Sequence, residues 1–256
     1  MMNRLNQLFE KKKNNVLNIY VTAGYPHLDD TLPMVEALEK YGADIVELGV
    51  PYSDPLADGP VIQHSGSIAL HNGMSMAKLF EQLKPMRQSV SIPVVLMGYL
   101  NPVLQYGIER FCDDAERTGV DGIILPDLPA LEYERDYRQL FQAHNLHFIF
   151  LITPETSEER IRQLDDLSSG FLYAVSSSST TGGQQDFEAV GNYLQRLKSM
   201  NLKNPILVGF GIKDRQSFNA VSKQVHGGII GSAFIRHLEG KDNVEEAVKE
   251  FLAEIR

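Results

Sequence analysis

Residues 44–60 read DIVELGVPYSDPLADGP. Asp44–Val50 is an apolar run broken only by Glu47 inside it, as a strand covered on both faces would be. Pro51, Pro55, Gly59 and Pro60 then stiffen or bend the backbone, and a helical pattern follows over Pro60–Asn72. This strand–loop–helix unit repeats in both directions along the chain. The apolar runs are Val16–Ala23, Asp44–Val50, Ile92–Tyr99, Gly122–Pro126, His147–Ile152, Phe171–Ser176, Pro205–Phe210 and Gly228–Gly231. Helical spacing recurs between them, as in Asp30–Tyr41, Gly107–Thr118, Glu132–His144 and Ser157–Leu167, the last with Thr156 or Ser157 as its cap. Eight alternations without a linker or a shift in composition predict an α/β fold, a single (β/α)8 TIM barrel over residues 1–256. An open doubly wound sheet of eight strands is the structural rival. Met1–Lys13 is an extra N-terminal helix expected to close the barrel bottom. Pro60–Asn72 and Ser75–Val90 give one helix more than the repeat needs between strands two and three.

The composition narrows the functional classes. In 256 residues, 24 Lys+Arg against 33 Asp+Glu leave a net charge of −9, which disfavours a nucleic-acid or anionic-membrane surface. The lone Cys112 excludes a disulfide framework and a Cys-based metal cluster. No secretory h-region and no run of ~18 apolar residues is visible, so a cytoplasmic chain is expected. His144 and His147 flank a strand start at the barrel bottom and read as surface residues. His64 and His71 share a helical face with no third ligand, so no metal site is expected.

Barrel chemistry belongs at the C-terminal ends of the strands. Glu47 sits on an alternately inward-facing strand, where a bare carboxylate is costly unless paired or neutral. A buried Lys or Arg partner is the bland alternative, but no strand run carries one. Asp58 lies at the far end of the following loop. Two carboxylates facing one cavity, one desolvated and the other solvated and ionised, are a layout for acid–base work. Glycines end the last three units at Gly182, Gly211 and Gly231. With Ser232 at a helix start, they offer backbone N–H groups to a phosphate. Dinucleotide, nucleotide-triphosphate, zinc-protease and serine-hydrolase motifs are missing.

The stretch ELGVPYSDPLADGPVIQ closely resembles the signature of the tryptophan synthase alpha subunits. The likeness continues in VTAGYP, MGYLNP, DLP, STTGG, GFGI and GSAF, from about Leu17 to Ile235. It implies retro-aldol cleavage of indole-3-glycerol phosphate to indole and glyceraldehyde 3-phosphate. By this resemblance Glu47 is the acid–base residue and Asp58 holds the indole N–H. Tyr173 is an active-site tyrosine, and Gly182, Gly211, Gly231 and Ser232 grip the phosphate. It also implies that the chain has no cofactor of its own and docks on a beta subunit carrying pyridoxal phosphate, as an alpha2-beta2 heterotetramer that passes indole between sites. Two departures stand out. Ser179-Thr180 replaces the family's Gly-Val after strand six, and Tyr52 stands where many members have Phe. The small, polar segment Ser177–Gln185 is expected to be a mobile lid, with Thr181 making the closing contact to Asp58. The docking surface is expected at Pro51–Pro55, Asn101-Pro102 and Asp127–Pro129. A different phosphate-gripping barrel, or a non-catalytic regulatory subunit, would be the rival functions. The former lacks a strand lysine suited to indole-glycerol-phosphate formation, and the latter would not need Glu47 and Asp58.

Overall fold

A computed structural model of the chain describes residues 2–175 and 187–256, of residues 187–189 only the backbone. The apolar, β-branched runs form parallel strands β1 (Val16–Thr22), β2 (Ile45–Gly49), β3 (Val94–Met97) and β4 (Gly122–Ile124). Strand β5 is in two pieces, His147–Phe148 and Leu151–Ile152, and β6 (Leu172–Ala174), β7 (Ile206–Val208) and β8 (Gly227–Ile230) follow. Sequential strands pair from β1 to β5, β6 to β8 pair in turn, and β8 returns to β1. The ring closes through β5. Its first piece pairs with β4 and its second with β6, and the partner changes where Ile149 N–H donates to Ile123 O and Phe150 O accepts from Tyr173 N–H, both at 3.0 Å. Ser168 Oγ and Ser169 Oγ accept from Phe150 and Phe148 N–H, filling the ladder below the start of β6. A closed barrel, not an open sheet, is the outcome.

Alternate side chains point into the ring. Val16, Ile45, Val95, Ile124, Ile149, Phe171, Leu207 and Ile229 form its inner core. Leu5 and Phe9 of the N-terminal helix Arg4–Lys11 pack beneath them, so this helix does plug the bottom. The helices lie outside, over a second and larger apolar layer.

Several elements differ from the sequence reading in local detail. Ser75–Val90 is a helix Met76–Leu83 followed by a 3-10 turn Met86–Gln88, because Pro85 interrupts it. Glu132–His144 contains a π turn at Tyr133–Tyr137, where Tyr133 stacks on Phe148 at 4.3 Å. A helix Leu100–Tyr106 that the periodicity did not reveal follows β3 directly. Its first N–H groups would be open, and Asp127 in the next loop accepts from Leu100 N–H with both oxygens at 3.0 Å. Ser157, not Thr156, caps Glu158–Leu167 by accepting from Arg160 N–H.

Candidate active site

Glu47 lies on β2 with its neighbours in register, Tyr20 on β1 and Val95 on β3. It is fully buried. The partner is not a cation: Asn18 Nδ2, two positions before Tyr20 on the same inward face of β1, donates to Glu47 Oε2 at 2.8 Å. Among the described residues Glu47 Oε1 is buried without a hydrogen-bond partner, as is Asn18 Oδ1. Burial disfavours the charged form and pushes the Glu47 carboxyl up to about 8. The Asn18 N–H opposes that rise, and the nearby Asp58 charge adds to it.

Asp58 reaches the same interior from the loop after β2. Gly59 caps and Pro60 opens the helix Pro60–His71, which fixes where that loop ends. Asp58 is half-buried and is not the solvated carboxylate expected from sequence. Burial raises its pKa, and the Tyr99 phenol at the end of β3 pulls it back by hydrogen bonding. The same phenol oxygen accepts from Ala57 N–H at 3.0 Å, pinning the loop to β3. The Tyr52 ring lies tilted against Tyr99 with centroids 5.4 Å apart, and its hydroxyl accepts from Asn101 Nδ2 at 3.1 Å. The Tyr52 hydroxyl, absent where members carry Phe, thus ties this loop to the helix after β3.

Two more tyrosines stand near both carboxylates. Tyr20 and Tyr173 are each 8% exposed, and the charges of Glu47 and Asp58 act on both phenols. Burial raises both pKa values far above the ordinary value, so the phenols stay neutral donors. Their rings lie against glycines. A Cβ on Gly49 would sit 2.0 Å from Tyr20 Oη, and one on Gly209 would sit 2.0 Å from Tyr173 Cε2. Only glycine leaves the rings room there.

At the C-terminal ends of the last two strands, Val208 pairs with Gly228, and Gly211 and Gly231 each lie three residues beyond that pair. Gly231 adjoins Tyr20, and the helix Ser232–Leu238 starts immediately after it. Gly211 has φ +68°, a left-handed conformation suited to glycine. Thr181, Gly182 and the Ser177–Gln185 segment lie outside the described residues.

Glu47, Asp58 and Tyr173 therefore converge, and Gly211, Gly231 and Ser232 stand at the same end of the barrel. Sequence reasoning missed Asn18, Tyr20 and Tyr99. A polar Asn amid the apolar run VLNIYV was the available signal for the first. The remaining titratable candidates lie elsewhere. His64 and His71 are exposed, and His144 Nδ1 is 2.8 Å from Glu116 Oε2. His147 corrects the surface reading: burial beneath the N-terminal plug holds its pKa down to about 4. Cys112 is buried, its thiol pushed up to about 12 by that burial. Among the described residues no cluster of three or more His, Cys, Asp or Glu could hold a metal ion, and no helix is long and apolar enough to cross a membrane.

The relatives agree with this geometry over the whole chain. The family model described as tryptophan synthase alpha chain matches residues 5–256. A tryptophan synthase alpha chain of Flavobacterium psychrophilum is 50% identical over 255 residues, covering 99% of this chain and 100% of its own. One from Christiangramia forsetii is 51% identical over 255 residues, covering 98% and 99%. Among solved structures, tryptophan synthase subunit alpha from Legionella pneumophila superposes with a TM-score of 0.91 at 35% identity, covering 100% of this chain and 97% of that one. A tryptophan synthase structure from M. tuberculosis gives 0.85 at 31% identity, covering 99% and 100%. With a closed barrel, a buried glutamate on β2 and an aspartate facing it from the next loop, this chain belongs to the tryptophan synthase alpha chain family.

Proposed function

We propose that Glu47 and Asp58 divide between them the chemistry of this family's reaction. That reaction is the carbon–carbon lyase step of tryptophan biosynthesis, cleavage of indole-3-glycerol phosphate to indole and glyceraldehyde 3-phosphate, and it is the activity of this chain. The observation that carries the division of labour is the buried, unpartnered Oε1 of Glu47 in the interior that Asp58 also faces.

A carboxyl with a pKa near 8 is largely protonated at neutral pH, so Glu47 begins as the acid. It gives its proton to C3 of the indole ring, which turns the ring into an electron sink with positive charge at nitrogen. Asp58, ionised with the Tyr99 hydrogen bond in its favour, stabilises that charge. The C3–C3′ bond then breaks. Its electron pair returns to the ring, the 3′-carbon becomes an aldehyde as its hydroxyl loses a proton, and Glu47 takes that proton back. The proton first delivered stays on C3 of the product. Tyr20 and Tyr173 stand near both carboxylates as neutral phenols. The backbone N–H groups at Gly231 and Ser232, with Gly211 opposite, supply the phosphate site, and Gly182 and Thr181 extend it by family resemblance.

Acid and base are both side chains, so no cofactor is assigned to this chain. Pyridoxal phosphate is assigned to a beta subunit, with which the chain forms a cytoplasmic alpha2-beta2 assembly. Docking on the rim of the barrel mouth is supported by two exposed leucines there. Leu56 and Leu131 are 86% and 72% exposed, on the segments after β2 and β4. Leu128 and the Asp127 carboxylate, by contrast, are occupied within the fold.

Indole release from indole-3-glycerol phosphate by the purified chain tests the assignment. Wild type should turn over, and Asp58→Asn should lose about 100-fold or more, as expected for an electrostatic group at the developing charge. Wild-type turnover in Asp58→Asn would contradict it.

A further inference from the structure

Asn18 is a polar side chain in the middle of an otherwise apolar strand, fully buried, and among the described residues its side chain's only hydrogen bond is to Glu47. An unpaired amide in that position costs stability, so the fold gains nothing from it that leucine would not supply better. The bond is also specific about which oxygen it engages. Nδ2 donates to Oε2, at 2.8 Å, and Oε1 has no partner. A hydrogen bond accepted by Oε2 places negative charge preferentially there, and the proton of the neutral acid on Oε1.

We propose that Asn18 is a positioning residue for the lyase reaction: it pins Oε2 of Glu47, so that Oε1 alone carries the proton to and from the substrate. This rests on the acid–base role of Glu47 proposed above. Among the described residues the groups facing the carboxyl are few. Asn18 and Tyr20 reach it from β1, Tyr173 acts from β6, Asp58 from the loop after β2, and the register neighbour on β3 is the apolar Val95. Tyr20 and Tyr173 are neutral, and Asp58 raises the carboxyl's pKa by repulsion. Of these groups Asn18 is the one that favours the ionised carboxylate. The reaction needs both forms in turn, first the acid and then its conjugate base. Without Asn18 the acid would be too weak to protonate carbon efficiently, and the carboxyl free to rotate about its last torsion.

The test is to follow the Glu47 carboxyl by carbon NMR in the ligand-free chain, its signal identified by its loss in Glu47→Gln, and to compare wild type with Asn18→Leu. Leucine keeps the volume and removes the donor. The midpoint should rise by about half a pH unit or more in Asn18→Leu. In the same variant, kcat for indole-3-glycerol phosphate should fall about tenfold or more with KM little changed, and the alkaline limb of the kcat profile should move to higher pH. Should Asn18→Leu not fold, Asn18→Ala removes the same donor and is read in the same two ways. An unmoved or lowered carboxyl midpoint overturns the proposal, since Asn18 would then not be donating to the carboxylate. So does a loss of melting temperature with an unaltered pH profile, the result of a purely structural role. Because the midpoint is read without turnover, these outcomes leave the acid–base role of Glu47 to be judged separately by its own substitution.

Discussion

A carboxyl with one oxygen on a neutral amide and the other unpaired survives in a barrel interior chiefly as the acid. For Glu47 the ordinary value of 4.5 becomes about 8 on folding. Between those values the folded chain retains a proton that the unfolded chain has released. Stability therefore falls as pH rises through that window, and it levels off above it. Glutamine has no such proton to lose. Glu47→Gln should match the wild-type stability near pH 5 and exceed it increasingly towards pH 8, by an amount on the order of a few kcal/mol. Thermal unfolding at a series of pH values measures this, and parallel curves would show that Glu47 is not desolvated as described. The sign also separates a catalytic carboxyl from a structural one. A glutamate held by a buried cation would lose stability on the same substitution. Glu47 itself was legible in sequence because a charged residue interrupts an apolar strand. Asn18 carried a similar signal, a polar residue amid the apolar run VLNIYV, but no motif or spacing tells that it meets Glu47 across the sheet.

At the level of elements, the two ends of the barrel do different work. The bottom is tied by Asp121, just before β4 and 2% exposed at its side chain. It accepts from Arg4 on the plug helix at 3.0 Å, from Arg87 at 2.7 Å and from Val94 N–H at 2.9 Å. Removing one partner of a buried ion pair strands the others, a loss of roughly 3–5 kcal/mol. Asp121→Ala should lower stability by that order in denaturant unfolding while turnover per folded molecule is kept, since the substrate side lies at the opposite end. A matching loss of kcat in fully folded protein would mean the plug communicates with the site. Strand positions were readable because parallel strands buried on both faces are apolar throughout. The π turn at Tyr133–Tyr137 was not readable, for it follows from how Tyr133 stacks on Phe148, a contact distant in sequence. The helix Leu100–Tyr106 escaped because its cap, Asp127, comes from another loop.

For the molecule as a whole, eight recurring units were enough to indicate a barrel, but closure depends on β5 changing partners midway, which no local pattern encodes. Gly211 and Gly231 were legible as glycines that end strands, while Gly182, the third, lies outside the described residues. Tyr20, Tyr99 and Tyr173 were harder to read because tyrosine is equally at home in a plain core. The rim shows what the core pattern leaves over. Leu131, 72% exposed in the first turn of a short helix, contributes nothing to the barrel interior and fits a surface that a partner covers. Leu131→Asp should weaken activation by a beta subunit at least tenfold, about 1.4 kcal/mol, while an acid at a helix N-terminus leaves folding intact. Titrating the beta subunit against lyase rate reads this. An unchanged midpoint would remove Leu131 from the docking surface, and a fallen lone-chain rate would signal a folding defect.

Glu47 is the buried carboxyl proposed both to give and to take the proton. That double role is tested most directly by the turnover of Glu47→Gln on indole-3-glycerol phosphate, beside its affinity for glycerol 3-phosphate. The amide keeps the shape and the Asn18-facing oxygen but carries no acidic proton. Turnover should fall about 100-fold or more, with phosphate-ligand affinity preserved. Retention of more than about a tenth of the wild-type rate would contradict the account.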